Sequence, residues 1–173
     1  KRESVIPDVG RGRYTRAYFG PERYKHLVNS SRGHSVPIVN GFEQLHGRQH
    51  AAQVLHHSAD ADADRLVIEM KDAYPAEARL ASLKRSVTLH RNTPLGRVEL
   101  IDEAVFSGAP GMLDSVLTTF AAVELEPSSV MLRGERGRLR VHFDPNSVAA
   151  SVVTEKDVDL ASGPRDVHLV HFT

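Results

Sequence analysis

This chain contains no cysteine, which excludes a disulfide framework and a thiolate metal site. It contains no tryptophan either. Any metal would have to be bound by imidazole and carboxylate groups. No apolar run approaches the roughly 20 residues that are needed to span a bilayer. Lys plus Arg and Asp plus Glu are balanced at 22 each, so the overall charge gives no long-range attraction for nucleic acid or an anionic membrane, although local basic clusters can still contribute. We therefore expect neither nucleic acid nor a membrane among its partners.

The length of 173 residues and the lack of a Pro- or Gly-rich linker predict a single domain over residues 1–173. The first residues are not a signal sequence. The sequence starts at Lys1 rather than Met, so we expect it to be a piece of a longer protein. The absence of cysteine does not assign a compartment, because many proteins of every compartment lack it.

Apolar residues recur mostly with a period of two, between segments rich in Gly, Pro, Asn and Asp, which is typical of β-strands. The runs that flank residues 92–96 predict a long hairpin, and those that flank residues 134–137 predict a second one. Residues 116–125 are apolar enough to predict one strand that is buried on both faces. Residues 50–57 and 112–117 compete weakly for helix. The pattern as a whole predicts an all-β fold, an antiparallel sandwich of roughly ten strands.

The first 44 residues differ from the rest, because they are rich in Gly, Arg, Tyr and Ser and show little alternation. Such a composition predicts a long loop over the sheet. A long ordered loop on a β scaffold is a frequent location for functional residues. We expect a site, if the chain has one, in this segment.

Two stretches of this segment, DVGRGRYTRAYFGPERY at 8–24 and NSSRGHSVPIVNGFEQ at 29–44, resemble the C-terminal domain of the heparinase II/III-like polysaccharide lyases. MKDAYP at 70–75, LKRSVTLHR at 83–91 and GRVELIDEAVF at 96–106 are similar to the long central hairpin of the same domain. The resemblance covers roughly residues 8–106, and the last third is similar only as a generic β-sandwich.

This resemblance implies a fragment of an enzyme that cleaves uronic-acid-containing polysaccharide by β-elimination. The family places an α/α-toroid before the sandwich, with the active site between them. The toroid supplies the catalytic tyrosine, so neither Tyr14 nor Tyr18 is assigned that role, and we expect the fragment to be inactive alone. The family resemblance also favours a periplasmic or secreted protein.

For metal-containing members, the resemblance implies a Zn²⁺ ion bound by two histidines and an aspartate. Asp8 in DVG matches the aspartate, and His34 in GHSVP matches the second histidine. The first histidine and the catalytic histidine of the sandwich would lie upstream of Lys1. The zinc site is therefore expected to be incomplete in this chain. The ordinary alternatives are a turn residue at Asp8 and a hydrogen-bonded structural histidine at position 34.

Arginines interleaved with aromatic residues predict contacts with an acidic polysaccharide. Guanidinium groups pair with carboxylate or sulfate in a bidentate manner, and tyrosine offers a flat face to a sugar ring. A solvated surface with stacked side chains is the alternative interpretation. A non-catalytic carbohydrate-binding or interaction module is the alternative to the lyase as a whole. The residues predicted to bind substrate are Arg11, Arg13, Tyr14, Arg16, Tyr18 and Arg32.

Overall fold

The structure, a computed structural model, describes residues 3–173 and has an all-β fold. Strands account for 48% of the residues, and no helix in this part of the chain reaches seven residues, so the predicted fold class is confirmed. The described residues form eleven strands in three antiparallel sheets. The first strands are β1 (Ile38–Val39), β2 (Gln53–Ala59), β3 (Ala63–Glu69), β4 (Leu80–His90), β5 (Arg97–Phe106) and β6 (Leu113–Thr119). The others are β7 (Ala122–Glu126), β8 (Ser129–Arg133), β9 (Arg138–His142), β10 (Ala150–Leu160) and β11 (Gly163–Phe172).

The helical segments are five single 3-10 turns. Over residues 3–173, none of them has the length and apolar character that crossing a membrane would require. Three of the turns lie in the N-terminal segment, which is otherwise irregular, as the sequence predicts. The turns are Arg23–Lys25, Leu27–Asn29, Ser31–Gly33, Lys71–Ala73 and Ala76–Ala78.

The chain divides into two compact units, which we describe separately. The first unit joins Lys1–Ile38 to Asp114–Thr173, and the second is Val39–Leu113. A single domain over the whole chain stays a prediction.

In the first unit, a sheet of order β1-β6-β11-β10 carries apolar residues on both faces. Alternate residues of a strand point to opposite faces, so Val116 and Leu117 contribute to different cores. Val116 packs with Leu169 and with residues of the N-terminal segment, whereas Leu117 packs against the core of the sheet β7-β8-β9. The N-terminal segment is therefore the cover of one sheet face, and its side chains there are Val9, Tyr18, Leu27 and Val28.

The N-terminal segment also runs along the outer edge of β10. Gly12 forms an antiparallel bridge with Leu160, and the Arg13 N–H donates to the Asp159 carbonyl at 3.1 Å. The Ala161 N–H donates to the Arg11 carbonyl at 2.9 Å. Backbone groups that an edge strand would expose are thus paired by the segment.

The second unit is a sheet of order β2-β3-β4-β5. Both predicted long hairpins exist: β4 pairs with β5 here, and β8 pairs with β9 in the first unit. The guanidinium of Arg85 donates twice to the Asp102 carboxylate, at 2.7 Å each. The two side chains are only 9% and 3% exposed. Because the two charges pair through two hydrogen bonds, the cost of removing each of them from water is offset.

Two details of the strand prediction change. Residues 116–125 do not form one strand, because the chain leaves β6 at Thr119 and joins another sheet as β7 at Ala122. The Thr119 side-chain oxygen accepts the Ala121 N–H at 2.9 Å and so satisfies the backbone at the break. Residues 50–57 contribute to β2 and residues 112–117 to β6, so neither stretch forms a helix.

Candidate functional site

Asp8 and His34, the two predicted metal ligands, are brought together by the fold of the first unit. Asp8 Oδ2 lies 2.7 Å from His34 Nδ1, although 26 positions separate the residues in the sequence. Val9, next to Asp8, is buried in the core, and His34 ends a 3-10 turn. The neighbouring Ser35 hydroxyl accepts the Thr118 N–H of β6 at 3.0 Å. Both partners are therefore attached to the sheet through residues beside them.

The protonation of this pair follows from its contacts. Partial burial raises the pKa of the Asp8 carboxyl, but hydrogen bonds from the Gly10 N–H and from His34 outweigh burial, and the pKa is lowered. Asp8 is therefore ionised near neutral pH, and an ionised carboxylate only accepts hydrogen bonds. The proton between the two groups consequently lies on His34 Nδ1. In the neutral ring this leaves the lone pair on Nε2 to bind a metal or to accept a proton.

Zinc needs three or four such donors around it. Asp8 and His34 are donors of the right type, but within residues 3–173 no group of three His, Asp or Glu side chains is arranged to hold a metal. The described residues therefore do not fit Zn²⁺ by themselves. The geometry corresponds to a carboxylate that orients an imidazole, which is the usual arrangement around a metal-binding histidine.

A small aromatic surface follows Asp8 in the same segment. Tyr14 and Phe19 are 58% and 57% exposed, and their ring centroids are 5.0 Å apart. The Arg11 guanidinium carbon lies 4.6 Å from the centroid of the Tyr14 ring. We call Arg11, Tyr14 and Phe19 the aromatic platform. Exposed rings with a stacked guanidinium can bind a sugar face and an anionic group together.

Two of the predicted substrate-binding arginines pair with acids of β10. Arg13 lies 3.1 Å from Asp159, and Arg32 lies 3.0 Å from Glu155. These pairs attach the segment to the strand that it covers, and they reduce the positive charge available to a ligand. Arg16 is exposed.

Tyr18 has a different environment from Tyr14, because it is only 9% exposed and belongs to the core beneath the segment. It also lines a groove together with Gly12, Arg13, His26 and Asp159. Sequence reasoning did not include His26 or Asp159 in the site. Their positions depend on the docking of the segment against β10, and neither residue stands in a recognisable motif.

A second imidazole–carboxylate pair was also missed. His171 Nδ1 lies 2.8 Å from Asp114 Oδ2, and both side chains are largely buried. The residues are 57 positions apart in the sequence, on β11 and β6. Only the pairing of these two strands brings them together, so no local signal in the sequence could have found them.

Fold and site together define an all-β protein in which a long N-terminal segment carries an oriented histidine and an aromatic platform. Neither a scan against protein-family models nor a search of curated proteins finds a match to this chain. Function is therefore inferred from the site and from the resemblance in the sequence.

Proposed function

We propose that this chain is the C-terminal β domain of a heparinase II/III-like lyase, whose substrate is an acidic polysaccharide. The observation that carries the proposal is the contact between Asp8 and His34, the two residues that match the family pattern. The fold brings these two residues together across 26 positions of the sequence. The aromatic platform, which begins three residues after Asp8, supports the same proposal.

The lyase reaction sets what such a domain can contribute. β-Elimination removes the proton at C5 of a uronate, requires the adjacent carboxylate to be neutralised, and ends with protonation of the leaving oxygen. In the proposal the proton-transfer residues belong to the α/α-toroid of the parent protein. Arg11 supplies positive charge and Tyr14 a stacking face, while Asp8 holds the His34 ring in one orientation.

The proposed zinc belongs to the parent protein, since Asp8 and His34 supply at most two donors, and Asp8 is one of them only when it exchanges its hydrogen bond with His34 for the metal. Further ligands would come from outside residues 1–173. Two donors bind zinc weakly, so we expect this chain alone to retain no stoichiometric zinc and to release no unsaturated uronate. Full-length parent protein with His34→Ala should lose zinc in metal analysis, and unchanged zinc would remove His34 from the site.

A non-catalytic carbohydrate-binding module is the second candidate. The observation that favours it is that the aromatic platform is exposed on the segment and needs no further domain to present it. Under this candidate, polysaccharide binding by the chain would account for the whole function, and a toroid with a catalytic tyrosine would be absent from the parent protein.

Both candidate functions require the chain to bind an acidic polysaccharide, so a binding measurement tests this shared requirement. We expect the chain to bind an oligouronate in isothermal titration calorimetry at low salt, and to bind a neutral glucan of the same length more weakly. Tyr14→Ala should weaken oligouronate binding about 5- to 30-fold, since stacking and cation–π contacts are worth about 1–2 kcal/mol. Arg11→Gln should weaken binding and reduce its salt dependence.

Arg48→Gln is the matched control, because Arg48 is an exposed arginine of the second unit. It should leave the affinity unchanged. Equal losses in Arg11→Gln and Arg48→Gln would mean that binding depends on charge alone. That result, or no binding of the oligouronate, would overturn the proposed contact.

A further inference from the structure

The backbone of the turn between β8 and β9 binds an exposed carboxylate. Three consecutive backbone N–H groups donate to the side chain of Glu3: Glu135 at 2.8 Å, Arg136 at 2.7 Å and Gly137 at 2.8 Å. Successive N–H groups that converge in this way form an anion-binding concavity. The hydrogen bonds from Arg136 and Glu135 are the main reason that the pKa of Glu3 is lowered.

The shape of the turn fits the carboxylate as closely as its hydrogen bonds do. A Cβ atom on Gly134 would lie 2.4 Å from the nearer Glu3 oxygen, so a larger residue at this position would require the Glu3 carboxylate to shift. The Gly134 N–H bonds to the Gly137 carbonyl at 2.9 Å and closes the turn. The GERG sequence therefore supplies both a tight turn and the space for an acidic group.

Glu3 lies at one end of a short strap, residues 3–10, and Asp8 lies near the other end. Between them, the Thr119 hydroxyl donates to the Val5 carbonyl at 2.6 Å, and Val5 and Ile6 pack against the core beside β8. Val9 is buried in the core on the other face of the same sheet. The strap is thus held at several points. Among the described residues 3–7, Glu3 is the only residue with a charged side chain.

We propose that the β8–β9 turn is a carboxylate-binding site whose ligand is the chain's own Glu3, and that this contact positions Asp8 against His34. Glu3 is then a positioning residue. Only four residues separate the two acids. Loss of the anchor therefore loosens the start of the strap, although Val5, Ile6 and Val9 still hold it, and widens the range of positions that Asp8 takes beside the imidazole. The inference concerns the same pair as the proposed function, but it does not require that the parent protein be a lyase.

Nuclear magnetic resonance of the whole chain tests both parts of the proposal, the carboxylate-binding site and the positioning of Asp8. In Glu3→Gln, which keeps the shape of the side chain but not its charge, the amide protons of Arg136 and Gly137 should move upfield and exchange about tenfold faster, as expected for loss of a charged acceptor. The neutral His34 ring should shift from the Nδ1–H tautomer toward the Nε2–H tautomer, which side-chain ¹⁵N shifts report. Asp8→Asn gives the reference for a disrupted pair.

Glu135→Gln is the matched control, because it removes a carboxylate from the same turn and keeps the backbone donor. It should leave the His34 tautomer unchanged. Shifted turn amides with an unchanged His34 tautomer in Glu3→Gln would overturn the positioning role, and unchanged turn amides would overturn the carboxylate site.

Chemical rescue tests recognition of the carboxylate directly. In Glu3→Ala, sodium acetate should return the turn amides toward their original shifts, and sodium chloride of equal ionic strength should not. No response to acetate, or the same response to chloride, would overturn a carboxylate-specific site. If the His34 tautomer follows Glu3 but Tyr14→Ala and Arg11→Gln bind oligouronate normally, the proposed function fails and this inference stands.

Discussion

At the scale of residues, the exposure of a side chain decides what it can contact, and its position in the sequence does not reveal that exposure. Tyr14 and Tyr18 are four positions apart in one motif, and both were predicted to bind substrate. Tyr14 is exposed in the aromatic platform, whereas Tyr18 is buried in the core. Substrate contact by Tyr18 stays a prediction, and its position gives the ring a packing role in addition.

Tyr74 gives a pH-dependent prediction. Burial raises the pKa of its hydroxyl from 10.0 to about 12, although the hydrogen bond from Gln44 opposes the shift. Between these values the unfolded chain has lost the proton and the folded protein retains it. The free energy of unfolding is therefore unaffected by this group below pH 10 and should fall by about 2–3 kcal/mol as the pH rises to 12.

Tyr74→Phe is the control, because it keeps the ring and removes the ionisable hydroxyl. Urea denaturation at several pH values should show that the difference in stability between the original protein and Tyr74→Phe shrinks or reverses above pH 10. Parallel pH profiles for the two proteins would contradict the prediction.

At the scale of elements, the docking of the N-terminal segment on β10 decides what the site looks like. The sequence predicts that the segment is loop-rich, and this is confirmed. It cannot predict the bridge between Gly12 and Leu160, because that contact joins residues about 150 positions apart. The groove residues His26 and Asp159 depend on the same docking.

Gly12 has little free space around it in this docking, which gives a second prediction. A Cβ atom at Gly12 would lie 2.9 Å from the Tyr18 ring, 3.0 Å from Val28 and 3.2 Å from the Asp159 carbonyl. Gly12→Ala should therefore lower the free energy of unfolding by about 1–3 kcal/mol, as overpacking does. Denaturant melts measure the loss, and limited proteolysis should show faster cleavage within residues 11–20.

Arg16→Ala is a control in the same segment, since Arg16 is exposed, and it should change stability by no more than about 0.5 kcal/mol. A loss in Gly12→Ala as small as that in Arg16→Ala would mean that the segment is not tightly docked at this point.

The strand predictions also show what a pattern can and cannot determine. Alternation and turn residues correctly predict the hairpins β4–β5 and β8–β9, because both signals are local. The mainly apolar run from 116 to 125 predicts one strand, and this prediction is wrong. Apolar residues continue through the break because β6 and β7 both pack against hydrophobic cores. The apolar pattern therefore does not indicate that the chain passes from one sheet to another.

At the scale of the whole molecule, the second unit leaves part of an apolar sheet face exposed. Leu66 and Leu100 lie in one cross-strand row with Val87, and Leu89 pairs with Val98 in the next row. Four of these five side chains are at least 37% exposed, and Val98 reaches 61%. Contiguous apolar surface of this kind favours association between molecules.

We therefore expect the chain at high concentration to scatter more light as ammonium sulfate is added, since salts that are excluded from the protein surface strengthen apolar contact. The double variant Val98→Thr, Leu100→Thr should reduce the scattering and keep the fold, because threonine suits a strand. Ile101→Thr is the control, since Ile101 is similarly exposed but points to the opposite face. An equal reduction in the control would mean that the effect does not come from this face.

The sequence by itself determined the class of the fold, the hairpins and the loop character of the first 44 residues, because period-two alternation and turn chemistry act over a few neighbours. The resemblance also directed attention to Asp8 and His34. Only the tertiary structure decided that these two residues are 2.7 Å apart, that Glu3 accepts hydrogen bonds from the β8–β9 turn, and that Asp114 meets His171. Each of these contacts joins distant parts of the chain, and their geometry depends on strand order and register, which no local pattern specifies.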